Sequence, residues 1–196
     1  MTLTATQKLF AKPLTAALAA LLLACAAPAW ADDHAQFQQG YTAYQAGNYA
    51  QALRLWQPLA QKGNTEAQFA LGLMYANGRG VAKNYQQAAA WWQKAADQGD
   101  AEAQFNLGLM YDNGQGVAQN DQQAAAWYQK AANQGHAKAQ YNLGVMYYNG
   151  QGMARNYRQA AAWYKKVLAQ PDTPENAEAK ALARENLQGL SKRGVR

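Results

Sequence analysis

The chain is poor in the residues from which catalytic and metal sites are usually assembled. It holds one cysteine, Cys25, two histidines, His34 and His136, and one serine, Ser191. A lone cysteine cannot close an internal disulfide, which excludes a disulfide-stapled fold. Two histidines offer fewer ligands than a metal site needs. Ser191 has no Ser-x-x-Lys setting and no neighbouring base, so it reads as inert. No acid recurs in the manner of a carboxylate dyad. Charged residues make up only 15% of the chain, and there are five prolines. Ala, Gln, Asn and Gly take their place, a composition that favours helix and is not that of a disordered polyelectrolyte. No cofactor is expected.

The scarce charge is also uneven. The formal net charge is +6, yet residues 32–154 carry seven bases and eight acids, whereas residues 155–196 carry nine bases and four acids. A nucleic-acid binder would spread its cations along a face and interleave them with contact aromatics, so no nucleic-acid partner is expected. A solvated basic end is the plain reading. Weak affinity for anionic lipid or polymer is the sharper one.

At the N-terminus, Lys8 and Lys12 precede an apolar stretch from Leu14 to Ala27 that is short for a membrane span. It ends in Ala29-Trp30-Ala31 before Asp32-Asp33. Basic, apolar and small-residue regions in this order predict a secretory signal peptide over 1–31, cleaved after Ala31, and a periplasmic or secreted protein. A second reading stays open. Leu22-Leu23-Ala24-Cys25 resembles a bacterial lipobox, in which a lipidated Cys25 anchors the chain to the outer membrane. Membrane contact is expected only in that case.

From residue 64 onward the chain repeats itself. Blocks 64–99, 100–135 and 136–171 align without a gap at a period of 36 residues. Gly72, Gly108 and Gly144 correspond, as do Gly78, Gly114 and Gly150, and Gly80, Gly116 and Gly152. So do Asn84, Asn120 and Asn156, and Trp91, Trp127 and Trp163. Such self-similarity marks a repeat architecture. Each block predicts helix–loop–helix. In the second, Asp100 caps a helix over 101–112 that Asn113-Gly114 stops, and Asn120 caps another that runs to about Asn133. Leu107, Gly108 and Tyr111 share one face of the first helix, and Ala124, Tyr128 and Ala131 one face of the second. Gly108 is costly inside a helix. It is read as the point where the second helix comes close at the equally small Ala124. The tryptophans read as fillers between repeats, and His136, standing where Asn64 and Asp100 stand, as a surface residue at a helix start.

The flanks are variations on this unit. Gly40 precedes Gly72 by 32 residues rather than 36, so segment 34–63 has a shorter loop, the spacing of an ordinary tetratricopeptide unit, and is read as the N-terminal cap. Thr173 and Pro174 predict the N-cap and first residue of a further helix that runs to about Gln188 and stops at Gly189. That element, 173–190, covers the last repeat, because solenoid ends need capping. A basic tail, 191–196, follows.

The run Ala103-Gln104-Phe105-Asn106-Leu107-Gly108-Leu109-Met110-Tyr111, then Gly114-Gln115-Gly116-Val117, then Ala124 through Trp127-Tyr128 to Ala131-Ala132 and Gly135, resembles the Sel-one-like repeat family of the tetratricopeptide superfamily. The resemblance covers 64–171. It implies an all-α, right-handed α-solenoid of helix-loop-helix repeats, and a non-enzymatic scaffold holding a protein or peptide partner in the cell envelope. Cysteine-rich relatives named as β-lactam-binding or hydrolysing carry a disulfide in each repeat. This chain has neither those cysteines nor a candidate serine, so the peptidoglycan- or β-lactam-acting enzyme is the lesser alternative. A module for cell-wall or anionic polymer is the other. Solenoids of this kind line their inner surface with first helices, and there Phe69 and Leu73, Phe105 and Leu109, and Tyr141 and Val145 turn away from the core direction. They form a row along the array, with Asn106 and Asn142 at its edge, and are the candidate partner-binding groove. Burial between adjacent repeats is the competing reading, most of all for Phe69.

Overall fold

Short polar side chains at regular intervals decide where helices begin. Asn48, Asn64, Asn84, Asp100, Asn120 and Asn156 each accept the backbone N–H three residues on, which satisfies one of the donors a helix start leaves unpaired. The computed structural model describes residues 29–195. Residues 1–28, which hold most of the segment read as a signal peptide and Cys25, and the last residue of the basic tail lie outside the described residues. The helices are α1 (Ala29–Gln45), α2 (Tyr49–Gln61), α3 (Thr65–Asn77), α4 (Tyr85–Asp97), α5 (Ala101–Asn113), α6 (Asp121–Asn133), α7 (Ala137–Asn149), α8 (Tyr157–Leu168) and α9 (Pro174–Lys192). The first helices of the three blocks stop at Gly78, Gly114 and Gly150, whose φ values of 68°, 66° and 76° are the left-handed ones glycine adopts without strain. Each helix packs on the next in sequence, giving an all-α helix-loop-helix solenoid.

Within a repeat the two helices meet at a glycine and a ring. A Cβ on Gly108 would stand 2.5 Å from the ring of Tyr128, and one on Gly144 equally close to Tyr164. The same contact pairs Gly40 with Trp56 and Gly72 with Trp92. The expected close approach is therefore present, but the partner is the aromatic side chain and not Ala124. The hydrophobic core does not follow the sequence blocks. Ala88, Trp92 and Ala95 of α4 bury together with Ala103, Leu107 and Met110 of α5, and Trp127 of α6 closes that cluster from the following helix. Trp163 closes the next one in the same way. These two core units join the second helix of one block to the first helix of the next, with a tryptophan from that next block's own second helix.

Two further contacts tie neighbouring repeats. Gly116 and Gly152 lie against the backbone at the start of α4 and α6, where a side chain would collide with Tyr85 and Asp121. The buried Gln104 donates to the carbonyl of Ala96 at 3.0 Å and accepts from Gln134 at 2.8 Å, and Gln68 and Gln140 do likewise.

The C-terminal element departs from the sequence reading. α9 runs through Gly189 to Lys192, so Ser191 lies in its last turn and not in a tail. Gly189 has open space around it and does not stop the helix. Pro174 takes the first turn as expected, but Thr173 makes no side-chain cap bond, and its buried hydroxyl has no partner among the described residues. α9 packs on α8 as a further first helix would, and also on α7, which the first helices of the repeats do not do with one another. Lys180 takes the part that glutamine plays in the repeats, donating to the Gln170 carbonyl at 2.7 Å.

Candidate functional site

First helices and the turns that precede them enclose an open cleft of about 560 Å³. Its apolar floor is Phe69 and Leu73 of α3 and Phe105 of α5. Its polar rim is Glu102, Asn106, Gln134, His136, Lys138, Glu175 and Asn176. Residues spaced by four on a helix share a face, which is why Phe69 and Leu73 arrive together. The 36-residue period then places Phe105 beside them.

The anticipated row is not uniform. Phe69 is buried, 4% exposed, with its ring centroid 6.4 Å from that of Trp92. Phe105 is half-buried, 5.9 Å from the Tyr128 ring and stacked at 4.5 Å on His136. Leu109 is half-buried against the third core cluster. Tyr141 and Val145 pack into the last cluster, beneath α9, and Asn186 of α9 donates to the Tyr141 hydroxyl at 3.3 Å. The Asn142 side chain stands beside the Tyr128 hydroxyl. The cleft therefore brings together Phe69, Leu73, Phe105 and Asn106. Leu109, Tyr141, Asn142 and Val145 are engaged elsewhere.

His136 was expected at a helix start on the surface. It does cap α7, through an Ala139 N–H that donates to Nδ1 at 3.1 Å, but its side chain is only 11% exposed. Because Nδ1 accepts, the neutral ring carries its proton on Nε2, which faces the Glu102 carboxylate at 3.4 Å. His136 is thus a wall of the cleft and the support for Phe105. Its place among capping residues was legible, whereas the ring stack depends on the angle between α5 and α7. Glu175 and Asn176 reach the rim because α9 folds back on the last repeat, which no periodic pattern foretells.

Burial pushes the Asp100 carboxyl above its ordinary range, and the charges of Glu102 and Glu66 push the same way, against the hydrogen bond from Ala103. Burial likewise raises Asp112, whose carboxylate accepts from the Tyr128 hydroxyl at 3.3 Å. Burial, and then the charge of Asp112, raises Tyr128, so its hydroxyl stays a donor. Among the described residues no group of three or more His, Cys, Asp or Glu could hold a metal ion.

A family model described as Sel1 repeat matches residues 35–64, 65–100, 101–136 and 137–170. No curated protein matches the chain. Among solved structures, a Sel1 repeat protein from Oxalobacter formigenes is 40% identical over 69% of this chain and 56% of its own, with a TM-score of 0.66. The protective antigen c5321 of uropathogenic Escherichia coli, described as displaying an SLR fold, is 30% identical over 83% of this chain and 42% of its own, also at 0.66. The chain spans about half the length of these relatives.

Proposed function

The chain belongs to the Sel1 repeat family, and from that premise we propose that it is a non-enzymatic scaffold whose inner cleft holds an extended segment of a protein partner in the cell envelope. One observation carries this reading. Phe105 keeps a half-buried ring at the centre of a cleft, held from behind by His136 and Tyr128, with the Asn106 amide beside it. An apolar ring fixed in position, with polar groups around it, is the arrangement that takes a side chain from a peptide and hydrogen-bonds its backbone. The envelope follows from the export signal read over 1–31, and an intact mass beginning at Asp32 is its check. A lipid adduct on Cys25 replaces the soluble form with an anchored one.

The binding test uses a displayed library of unstructured peptides. Enriched peptides share spaced apolar side chains, and Phe105→Ala weakens their binding about thirtyfold, the loss usual for a central anchor, with the melting temperature close to wild type. Failure to enrich any peptide, or equal binding by Phe105→Ala, removes the cleft from the proposal.

A further inference from the structure

The three blocks share a fold but not a charge. Block 136–171 contains five bases and no acid, whereas block 100–135 contains one base and four acids. Part of the difference falls on the exposed side of the second helices. There α4 and α6 present Gln86 and Gln93, and Gln122 and Gln129, at positions where α8 presents Arg158 and Lys165, both exposed. Lys166, which lies over Trp163 at 3.8 Å as Lys94 and Lys130 lie over Trp91 and Trp127, adds to the same stretch the cation that all three second helices carry. Arg158 to Lys166 spans about 12 Å of helix. At its N-terminal end two guanidinium groups share one ring: Arg155 lies 5.4 Å and Arg193 5.9 Å from the centroid of Tyr157. Among the described residues none of these five cations is in an ion pair.

We propose that this outer face of the last repeat docks the protein on an anionic phospholipid surface. The face is one side of a helix, bears cations in a row and exposes no large apolar side chain, since the exposed one among the described residues, Leu182, is on α9. Guanidinium and ammonium groups held in a row suit a laterally continuous layer of phosphates, where each contributes by proximity rather than by fit. The cleft is lined by first helices and the turns before them, so docking through α8 leaves it free. The surface is independent of the peptide reading.

The test is co-sedimentation of the full chain with vesicles of phosphatidylcholine alone and with one third phosphatidylglycerol, in which any contribution from the N-terminal segment is common to all variants. Arg158→Gln with Lys165→Gln installs the residues of blocks 64–99 and 100–135. It lowers partitioning onto the anionic vesicles tenfold or more, while Arg54→Gln with Lys83→Gln, an equal change of charge elsewhere, leaves it near wild type. The gap closes in high salt and on neutral vesicles. Conversely, Gln122→Arg with Gln129→Lys extends the stripe onto α6 and tightens binding, which keeps the proposal open to test should the first pair not fold. Equal loss in both charge-removing pairs, no gain from the extended stripe, or tighter salt-sensitive capture by DNA or an acidic polypeptide than by vesicles at the same ionic strength would each overturn it.

Discussion

In block 100–135 the ring of Tyr128 lies on Gly108, and in block 136–171 the ring of Tyr164 lies on Gly144 in the same way. Gln104 and Gln140 make the same pair of buried hydrogen bonds. The blocks part company where the fold makes no demand. One is acidic and leaves Phe105 on an open cleft, and the other is basic and has Tyr141 covered by α9. Positions that hold helix against helix admit few side chains, so they recur. Positions on the inner and outer faces are free to differ, and the candidate functions lie there.

Predictions follow this division from the costliest change to the mildest. Gly108→Leu and Gly144→Leu each overpack a ring that already touches the glycine backbone, at a cost of about 3 kcal/mol in urea unfolding. If only one of the two melts early, the blocks are not equivalent where they look it. Gln104→Leu and Gln140→Leu strand a buried carbonyl and a neighbouring amide, and lower stability by about 2 kcal/mol each. Wild-type stability in both would mean water replaces the lost bonds and the network is not structural.

The caps sharpen the comparison further. Asp100→Ala and His136→Ala each remove a cap and cost about 1 kcal/mol. Asp100→Asn behaves differently, because it keeps the cap, as Asn64 does. The folded carboxyl of Asp100 titrates above its ordinary range through burial, so the fold disfavours its ionised form. Whatever stability that shift contributes is present below about pH 4 and lost as pH rises through the raised value. Asp100→Asn is therefore expected to gain on the wild type between acid and neutral pH, in melts taken across that range. A constant difference would show that desolvation of the carboxylate is not felt. Mildest of all, Arg158→Gln with Lys165→Gln changes stability by no more than about 0.5 kcal/mol, although it removes two of the five bases in its block.

Most of the architecture was legible because local rules write it. Asn or Asp before six of the described helices, Asn-Gly after the first helix of each block, and an apolar period repeated every 36 residues are short-range signals, and within the repeats the helices fall where those signals put them. The end of α9 was misread for the same reason. Gly189 looks like a stop, but packing of Leu187 and Leu190 into the last cluster carries the helix past it. Gln68, Gln104 and Gln140 were passed over because polar residues on a helix are ordinarily solvated, and only burial at 3–4% exposure reveals their part.

By itself the sequence determined the period, the helix limits within the repeats, the small residue required at Gly72, Gly108 and Gly144, and the charge contrast between blocks. Each depends on neighbours along the chain or on composition alone. Tertiary structure decided that the core straddles the block boundaries, that a ring rather than Ala124 meets Gly108, that His136 turns in to stack on Phe105, and that α9 covers Tyr141 but leaves Phe105 in the cleft. Those outcomes depend on the angle at which one helix pair meets the next, and that angle is set jointly by side chains far apart in the chain.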